Sequence, residues 1–106
     1  MSRFMRVFVM FDLPTNTKEE RREATRFRNG LVKKGYYMLQ YSIYVKLCPN
    51  VDAAMASADG VHKLVPESGA VRIMIVTEKQ YHSMIVLLGP KYHQESFLEN
   101  NGNIFL

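Results

Sequence analysis

Asp12 is the residue of this 106-residue chain whose type and position point most directly to chemistry. It is the only acidic residue among the first eighteen, and it lies near the end of an apolar, strand-forming run at residues 4–13. A carboxylate there can cap the following turn or helix start. It can also ligate Mg²⁺, which commonly takes one or two protein carboxylates and completes its octahedron with waters and substrate phosphates. Because Asp12 offers the site a single carboxylate, the metal hypothesis requires two subunits that meet at Asp12.

Basic residues form the second candidate site. Residues 1–46 hold ten Lys and Arg against four Asp and Glu, whereas residues 47–106 hold four against six. A helix over 18–34 would align several of these cations on one outward stripe, because residues recur at 100° per position. The candidate nucleic-acid-binding residues are Lys18, Arg22, Arg26, Arg28 and Lys33. The stripe is either an ordinary solvated face, partly paired through Glu19, or a surface for backbone phosphates.

Other chemistry-bearing residues give weaker signals. Tyrosines cluster at residues 36–44, where they serve either core and dimer packing or the stacking of bases. The single cysteine, Cys48, excludes an intrachain disulfide and is expected to be buried as a small apolar residue. The histidines, His62, His82 and His93, form no pair at helical spacing, so a zinc site is not expected. No glycine-rich phosphate loop is present either.

The elements that must position these residues alternate in type. Thr17 and Glu20 form a capping box at the start of the 18–34 helix, and Gly35 is placed to end it. Later segments predict one bent strand or two strands at 36–47, a helix at 51–64 and strands at 71–76 and 83–88. The order β-α-β-β-α-β with a β-rich extension is the ferredoxin-like arrangement of the α+β class. This fold hosts nucleases, RNA-binding domains and regulatory modules, so it does not name a function.

Size and composition are those of one globular domain over residues 1–106, with residues 91–106 as a C-terminal extension. The last residues, 103–106, can form a short strand that pairs outside the domain. No apolar run approaches the roughly 18 residues of a membrane span. Residues 1–6 lead directly into a strand and lack the features of a secretory signal, so we expect a cytoplasmic protein.

Short segments, in order along the chain, carry a family resemblance. They are Phe11-Asp12-Leu13-Pro14; Arg22, Phe27, Arg28 and Leu31; Gly35 followed by Met38-Leu39-Gln40, Ser42 and Tyr44; Cys48-Pro49-Asn50; and Val76-Thr77-Glu78-Lys79-Gln80 with Gly89. Each segment is a weak signal alone, but together and in this order they are specific. The chain resembles CRISPR-associated protein 2, particularly its type II branch, over most of its length.

The resemblance implies a ferredoxin-like homodimer in which the C-terminal strand of each subunit completes the sheet of its partner. It also implies partnership with the CRISPR integrase, CRISPR-associated protein 1, in a complex that inserts short foreign DNA segments as new spacers. A Mg²⁺-dependent endonuclease activity is implied as well, with Asp12 as catalytic and metal-binding residue at the dimer axis. The residues expected to have dimer or structural roles are Gln40, Ser42, Tyr44 and Phe105.

Three functions stay open at this point. The first is a DNA-binding subunit of the spacer-acquisition complex without catalysis, and the second is a metal-dependent nuclease. The third is a ferredoxin-like regulatory or RNA-binding module unrelated to CRISPR. Many members of the resembled family have an acidic residue just after the aromatic that matches Tyr44, whereas this chain has Val45. If that carboxylate assists catalysis elsewhere, its absence here weakens the nuclease hypothesis.

Overall fold

The computed structural model describes residues 3–90. The elements are β1 (Met5–Asp12), α1 (Lys18–Lys33), β2 (Tyr37–Gln40), β3 (Ile43–Cys48), α2 (Val51–His62), β4 (Ala70–Thr77) and α3 (Glu78–His82). The first six reproduce the predicted β-α-β-β-α-β order and confirm the ferredoxin-like α+β fold. The C-terminal extension, including Phe105 and the expected terminal strand, lies outside the described residues.

The four strands form one antiparallel sheet in the order β2-β3-β1-β4. β1 lies between β3 and β4, as its nearly continuous apolar sequence predicts for a central strand. The side chains of Val7, Val9 and Phe11 point to one side, which we call the helix face, because α1 and α2 pack there through Phe27 and Ala54 among others. This layer forms the main core of the domain.

The opposite side of the sheet, which we call the second face, carries the alternate residues of β1. Phe8 packs there against Val45 and Tyr81, so α3 covers this part of the sheet. Alternation along the strand places Met10 and Asp12 on the same face, beyond α3. The second face is therefore covered at one end by α3, whereas Asp12 at the other end is exposed.

Local chemistry sets the bounds of α1 as predicted. The Thr17 hydroxyl accepts a hydrogen bond from the Glu20 amide at 3.1 Å, and the Glu20 carboxylate accepts one from the Thr17 amide at 3.0 Å. Gly35 follows the helix with a φ of 94°, a left-handed conformation that costs a glycine little. Both the start and the end of α1 are thus encoded by the residues next to them.

The strand predicted at residues 83–88 is wrong. Thr77 and Gln80 form a second capping box that begins α3, and Ser83 ends this helix by donating a hydrogen bond from its hydroxyl to the Gln80 carbonyl at 2.7 Å. Residues 84–90 contain neither helix nor strand, and Leu87 and Leu88 are 93% and 96% exposed. The prediction failed because β propensity becomes a strand only where a neighbouring strand is in register, and no strand pairs with this run within the described part of the chain.

No helix in the described residues is both long enough and apolar enough to cross a membrane.

Candidate metal and nucleic-acid site

Asp12 is the last residue of β1, where it pairs with Ala70 of β4. The residue is exposed, and its carboxylate has no hydrogen-bond or ion-pair partner among residues 3–90. The N-cap of α1 is Thr17, so Asp12 does not cap that helix. The structure thus leaves the carboxylate free to bind a ligand from solvent or from a second chain.

Gly69 holds the backbone at this end of the sheet. Its φ is +107°, and a Cβ atom added to it would lie 2.7 Å from the Asp12 carbonyl oxygen and 2.9 Å from Cδ2 of Leu13. Contacts this short leave no room for any side chain. The loop between α2 and β4 therefore packs directly on the residue that carries the candidate carboxylate.

Arg72, which is not among the predicted site residues, shares the second face with Asp12. Arg72 pairs with Met10, two positions from the Asp12–Ala70 pair, so Asp12 and Arg72 are diagonal neighbours about 7–8 Å apart at Cα. The guanidinium is exposed and has no carboxylate partner among the described residues. The available signal was a single charge inside the apolar run 71–76.

Position 45, which is occupied by Val45, cannot supply a metal-ligating carboxylate in this fold. The side chain is fully buried, in a cluster with Phe8, Tyr37 and Tyr81 beneath α3. A carboxylate at this point would be cut off from water, and burying an unpaired charge is strongly unfavourable. This chain therefore uses the position following Tyr44 for packing.

The residues present fit Mg²⁺ only in a limited way. Among residues 3–90 no group of three or more Asp, Glu, His or Cys is arranged to hold a metal. The oxygens of Asp12 are the hard ligands that Mg²⁺ prefers, and Mg²⁺ binds through one or two carboxylates when waters and phosphates complete the shell. The Asp12 carboxylate therefore fits only a largely hydrated ion that takes its other ligands from outside the described residues.

The basic stripe of α1 lies on the outer side of the helix, since Ala24, Phe27 and Leu31 are buried against the sheet. Two of its members form exposed ion pairs one turn apart: Arg22 with Glu19 at 3.7 Å and Arg26 with Glu23 at 3.2 Å. Exposed pairs of this kind contribute only about 0–1 kcal/mol, so both arginines can exchange these partners for phosphates at little cost.

The other stripe residues differ in their contacts. The Arg28 guanidinium donates a hydrogen bond to the Thr25 hydroxyl at 3.3 Å. Lys18 and Lys33 have no ion-pair partner among the described residues. The stripe therefore begins and ends with uncompensated cations.

An acidic groove adjoins the first turns of α1 and limits where phosphates can bind. The groove has a volume of about 410 Å³, with Leu13, Pro14, Ala24, Val65, Pro66 and Ser68 in its lining. Four carboxylates also line it: Glu19, Glu20, Glu23 and Glu67. Like charge disfavours a phosphate backbone in this groove.

One chain does not bring Asp12 and the stripe together. α1 packs on the helix face, whereas Asp12 projects from the second face, so the sheet separates them. Only Lys18, at the start of α1, is close in sequence to the end of β1. The residues expected to have dimer or structural roles also lie in different environments: Tyr44 is buried in the core, Gln40 is exposed, and Ser42 adopts a left-handed φ of 65° in the turn.

A buried arginine that is not among the predicted site residues anchors α3 to the sheet. Arg6 is fully buried, and its Nε and Nη2 donate to the Glu78 carboxylate at 2.6 and 2.9 Å. Its Nη1 donates to the Tyr37 hydroxyl at 3.0 Å, and its Cζ lies 4.2 Å from the centre of the Tyr81 ring. The guanidinium is thus held by an ion pair, a hydrogen bond and an aromatic ring.

The charges of this pair stabilise each other. Burial disfavours both charged forms, but the hydrogen bonds and opposite charges outweigh it, so the pKa of Arg6 is raised and that of Glu78 is lowered. His82 adds to the effect on Glu78, because its Nε2 lies 3.1 Å from the carboxylate. The arrangement keeps α3 over Val45 and away from Asp12.

Comparison with known proteins places this chain in a family. The family model for CRISPR associated protein Cas2 matches residues 5–84. The chain belongs to the CRISPR-associated Cas2 family. A CRISPR-associated endoribonuclease Cas2 from Campylobacter jejuni is 44% identical over 104 residues, covering 98% of this chain and 72% of that protein. Another from Ligilactobacillus salivarius is 44% identical over 87 residues, with 82% and 86% covered.

The segment matched to Cas2 includes every candidate site residue except Phe105. A third relative, the CRISPR-associated endoribonuclease Cas2 of Lacticaseibacillus rhamnosus, is 40% identical over 80% of this chain and 84% of its own length. Membership of the Cas2 family rules out the unrelated regulatory or RNA-binding module.

Proposed function

We propose that two copies of this chain associate through the second face, so that the two Asp12 carboxylates share one Mg²⁺ site. The observation that carries the proposal is the free, exposed carboxylate of Asp12 at the uncovered end of that face. Apolar surface elsewhere on the same face favours a second copy as the occupant, because Met74, which pairs with Phe8 four residues before Asp12, is 48% exposed. Exposed Leu87 and Leu88 lead toward the C-terminal extension, which in this proposal pairs with the partner's sheet.

The activity proposed for this dimer is metal-dependent endonucleolytic cleavage. The relatives are named endoribonucleases, which makes RNA the first substrate to test. Bound Mg²⁺ would supply an activated water and neutralise charge on the scissile phosphate. The role of Asp12 is to hold the ion, and the role of the neighbouring Arg72 is to bind a phosphate oxygen.

The cellular role proposed is spacer acquisition. The α1 stripe would bind duplex DNA through backbone phosphates, without reading sequence, while the dimer bridges the CRISPR integrase. Its support is the row of exposed cations on one side of α1 together with family membership. Binding of this kind weakens steeply with added salt.

A non-catalytic scaffold is the second candidate, and Val45 is the observation that favours it. With this position buried and apolar, each chain offers the site only the Asp12 carboxylate within residues 3–90. The scaffold and the nuclease differ in whether Asp12 is needed. Spacer acquisition in the complete system with Asp12→Asn decides between them, provided that the variant still assembles with the integrase: the nuclease role requires loss of acquisition, and the scaffold role requires its retention.

The dimer proposal has a test of its own. Met74→Glu places a charge on the second face, whereas Met55→Glu places one on α2, on the other side of the sheet, where Met55 is 58% exposed. Sedimentation equilibrium of Met74→Glu should give monomers, because a buried unpaired charge opposes association, and Met55→Glu should stay dimeric. If Met74→Glu and Met55→Glu were equally dimeric, the dimer interface would not lie on the second face.

A further inference from the structure

The four clustered tyrosines of the sequence have different environments in the structure. Tyr36 and Tyr44 are buried, and the Tyr37 hydroxyl accepts a hydrogen bond from the buried Arg6 at 3.0 Å. Tyr41 is 81% exposed, and its side chain makes no hydrogen bond or ring contact within residues 3–90. Of the four rings, that of Tyr41 is therefore the one with its faces available to a ligand.

Tyr41 lies in the turn between β2 and β3, at the end of the sheet that carries Asp12. Just beyond the paired residues of β1 and β3, the Phe11 amide donates a hydrogen bond to the Ser42 carbonyl at 3.1 Å. Tyr41 and Asp12 are the next residues along the two segments, so their Cα atoms are at most about 13 Å apart. Two side chains and one bound nucleotide can bridge this separation.

The backbone on both sides of Tyr41 departs from an ordinary hairpin. Ser42 has a φ of 65° at a turn position where glycine or asparagine is usual. The pairing of β2 with β3 is also irregular between Met38 and Gln40. Bulges of this kind re-aim side chains next to functional sites, and strained non-glycine residues concentrate at such sites. The turn is thus shaped in a way that local preference does not explain, with the Tyr41 ring in solvent.

We propose that Tyr41 stacks on an unpaired base of the RNA strand whose phosphate binds at Asp12, an inference that rests on the function proposed above. Aromatic rings stack on any base, so the contact adds affinity without reading sequence. Asp12 then holds the ion, Arg72 binds a phosphate oxygen and Tyr41 holds a neighbouring base. A base inside a duplex cannot be stacked in this way, so this end of the sheet takes a single strand, whereas the α1 stripe takes a duplex.

The test measures binding with a chelator present, so its result does not depend on whether the chain cleaves RNA. The probes are a labelled uridine oligonucleotide, an abasic phosphodiester strand of equal length and a duplex, each followed by fluorescence anisotropy. Tyr41→Ala should lower affinity for the uridine strand about tenfold, since one stacked base is lost. Affinity for the other two probes should be unchanged, because neither presents an unpaired base. Tyr41→Phe keeps the ring and should bind all three probes as the parent chain does.

Phe4→Ala is the matched control, because it removes a 47% exposed ring at the opposite end of β1 and should leave uridine binding unchanged. Unchanged uridine affinity in Tyr41→Ala, or an equal loss for all three probes, would overturn the inference. Sedimentation equilibrium that gave monomers of Tyr41→Ala would also overturn it, by assigning the ring to a dimer interface. A selective loss in Tyr41→Ala, together with RNA cleavage that persists in Asp12→Asn, would uphold stacking and refute the metal role of Asp12.

Discussion

The carbonyl oxygen of Asp12 lies 2.7 Å from the position that a Cβ atom would take on Gly69. The end of β1 and the loop before β4 are therefore fitted to each other at the residue that carries the candidate carboxylate. Because Gly69 also has a φ of +107°, both its backbone conformation and its lack of a side chain are required. The position of Asp12 depends on a glycine far away in the sequence.

Gly69→Ala should lower the free energy of unfolding by about 1–3 kcal/mol, because alanine is strained at this φ and its Cβ would displace the Asp12 backbone. Urea denaturation measures the change. Ser68→Ala, at the exposed neighbouring residue, is the control and should be close to neutral. If Gly69→Ala were as stable as the parent chain, the close approach would not exist in solution.

Glu78→Gln should destabilise the domain by about 3–5 kcal/mol at neutral pH, because it leaves the buried guanidinium of Arg6 without its counter-charge. Chemical denaturation measures the loss, with the exposed Glu67→Gln as the control. A loss no greater than that of the control would show that the pair contributes little to anchoring α3.

The same pair predicts a pH dependence. The pKa of Glu78 is lowered in the folded chain, so its contribution is complete above the ordinary value of 4.5 and disappears as pH falls through the lowered value. The stability difference between the parent chain and Glu78→Gln should therefore shrink on acidification below 4.5. A difference that stays constant over this range would assign the effect of the substitution to packing.

Arg22→Gln/Arg26→Gln should weaken duplex DNA binding and reduce the slope of log affinity against log salt by about 2, one unit for each lost phosphate contact. Folding should be unaffected, because both arginines form only exposed ion pairs. Fluorescence anisotropy over a salt series measures the slope. The control pair Lys63→Gln/Lys79→Gln removes equal charge elsewhere on the chain. Equal salt slopes in the two double variants would show that the stripe makes no specific contact with DNA phosphates.

Much of the fold was predictable because its signals are local. The capping box of Thr17 and Glu20 and the left-handed Gly35 define α1 from neighbouring residues alone, and the apolar run of β1 predicts a central strand. Residues 83–88 misled because apolar β-branched residues indicate a strand only when a partner strand exists.

The site was less predictable, because it depends on contacts between distant residues. Arg6 is separated from Glu78 by 72 positions, and a lone arginine in a strand resembles a solvent-facing residue until its partner is known. The separation of Asp12 from the α1 stripe depends on which face of the sheet α1 covers. No periodicity in either segment reports that choice, whereas Asp12 could be singled out because it is the only carboxylate at the end of an apolar, strand-forming run.

The proposal that Asp12 serves as a metal-ligating carboxylate is tested most directly by RNA cleavage in the presence of Mg²⁺. The assay compares the parent chain with Asp12→Asn and with Asp59→Asn, which changes an exposed carboxylate on α2. Cleavage is expected with the parent chain and with Asp59→Asn, and it should be lost on chelation of Mg²⁺ and in Asp12→Asn with the fold intact. Cleavage by purified Asp12→Asn at the rate of the parent chain would exclude Asp12 as the metal-ligating carboxylate.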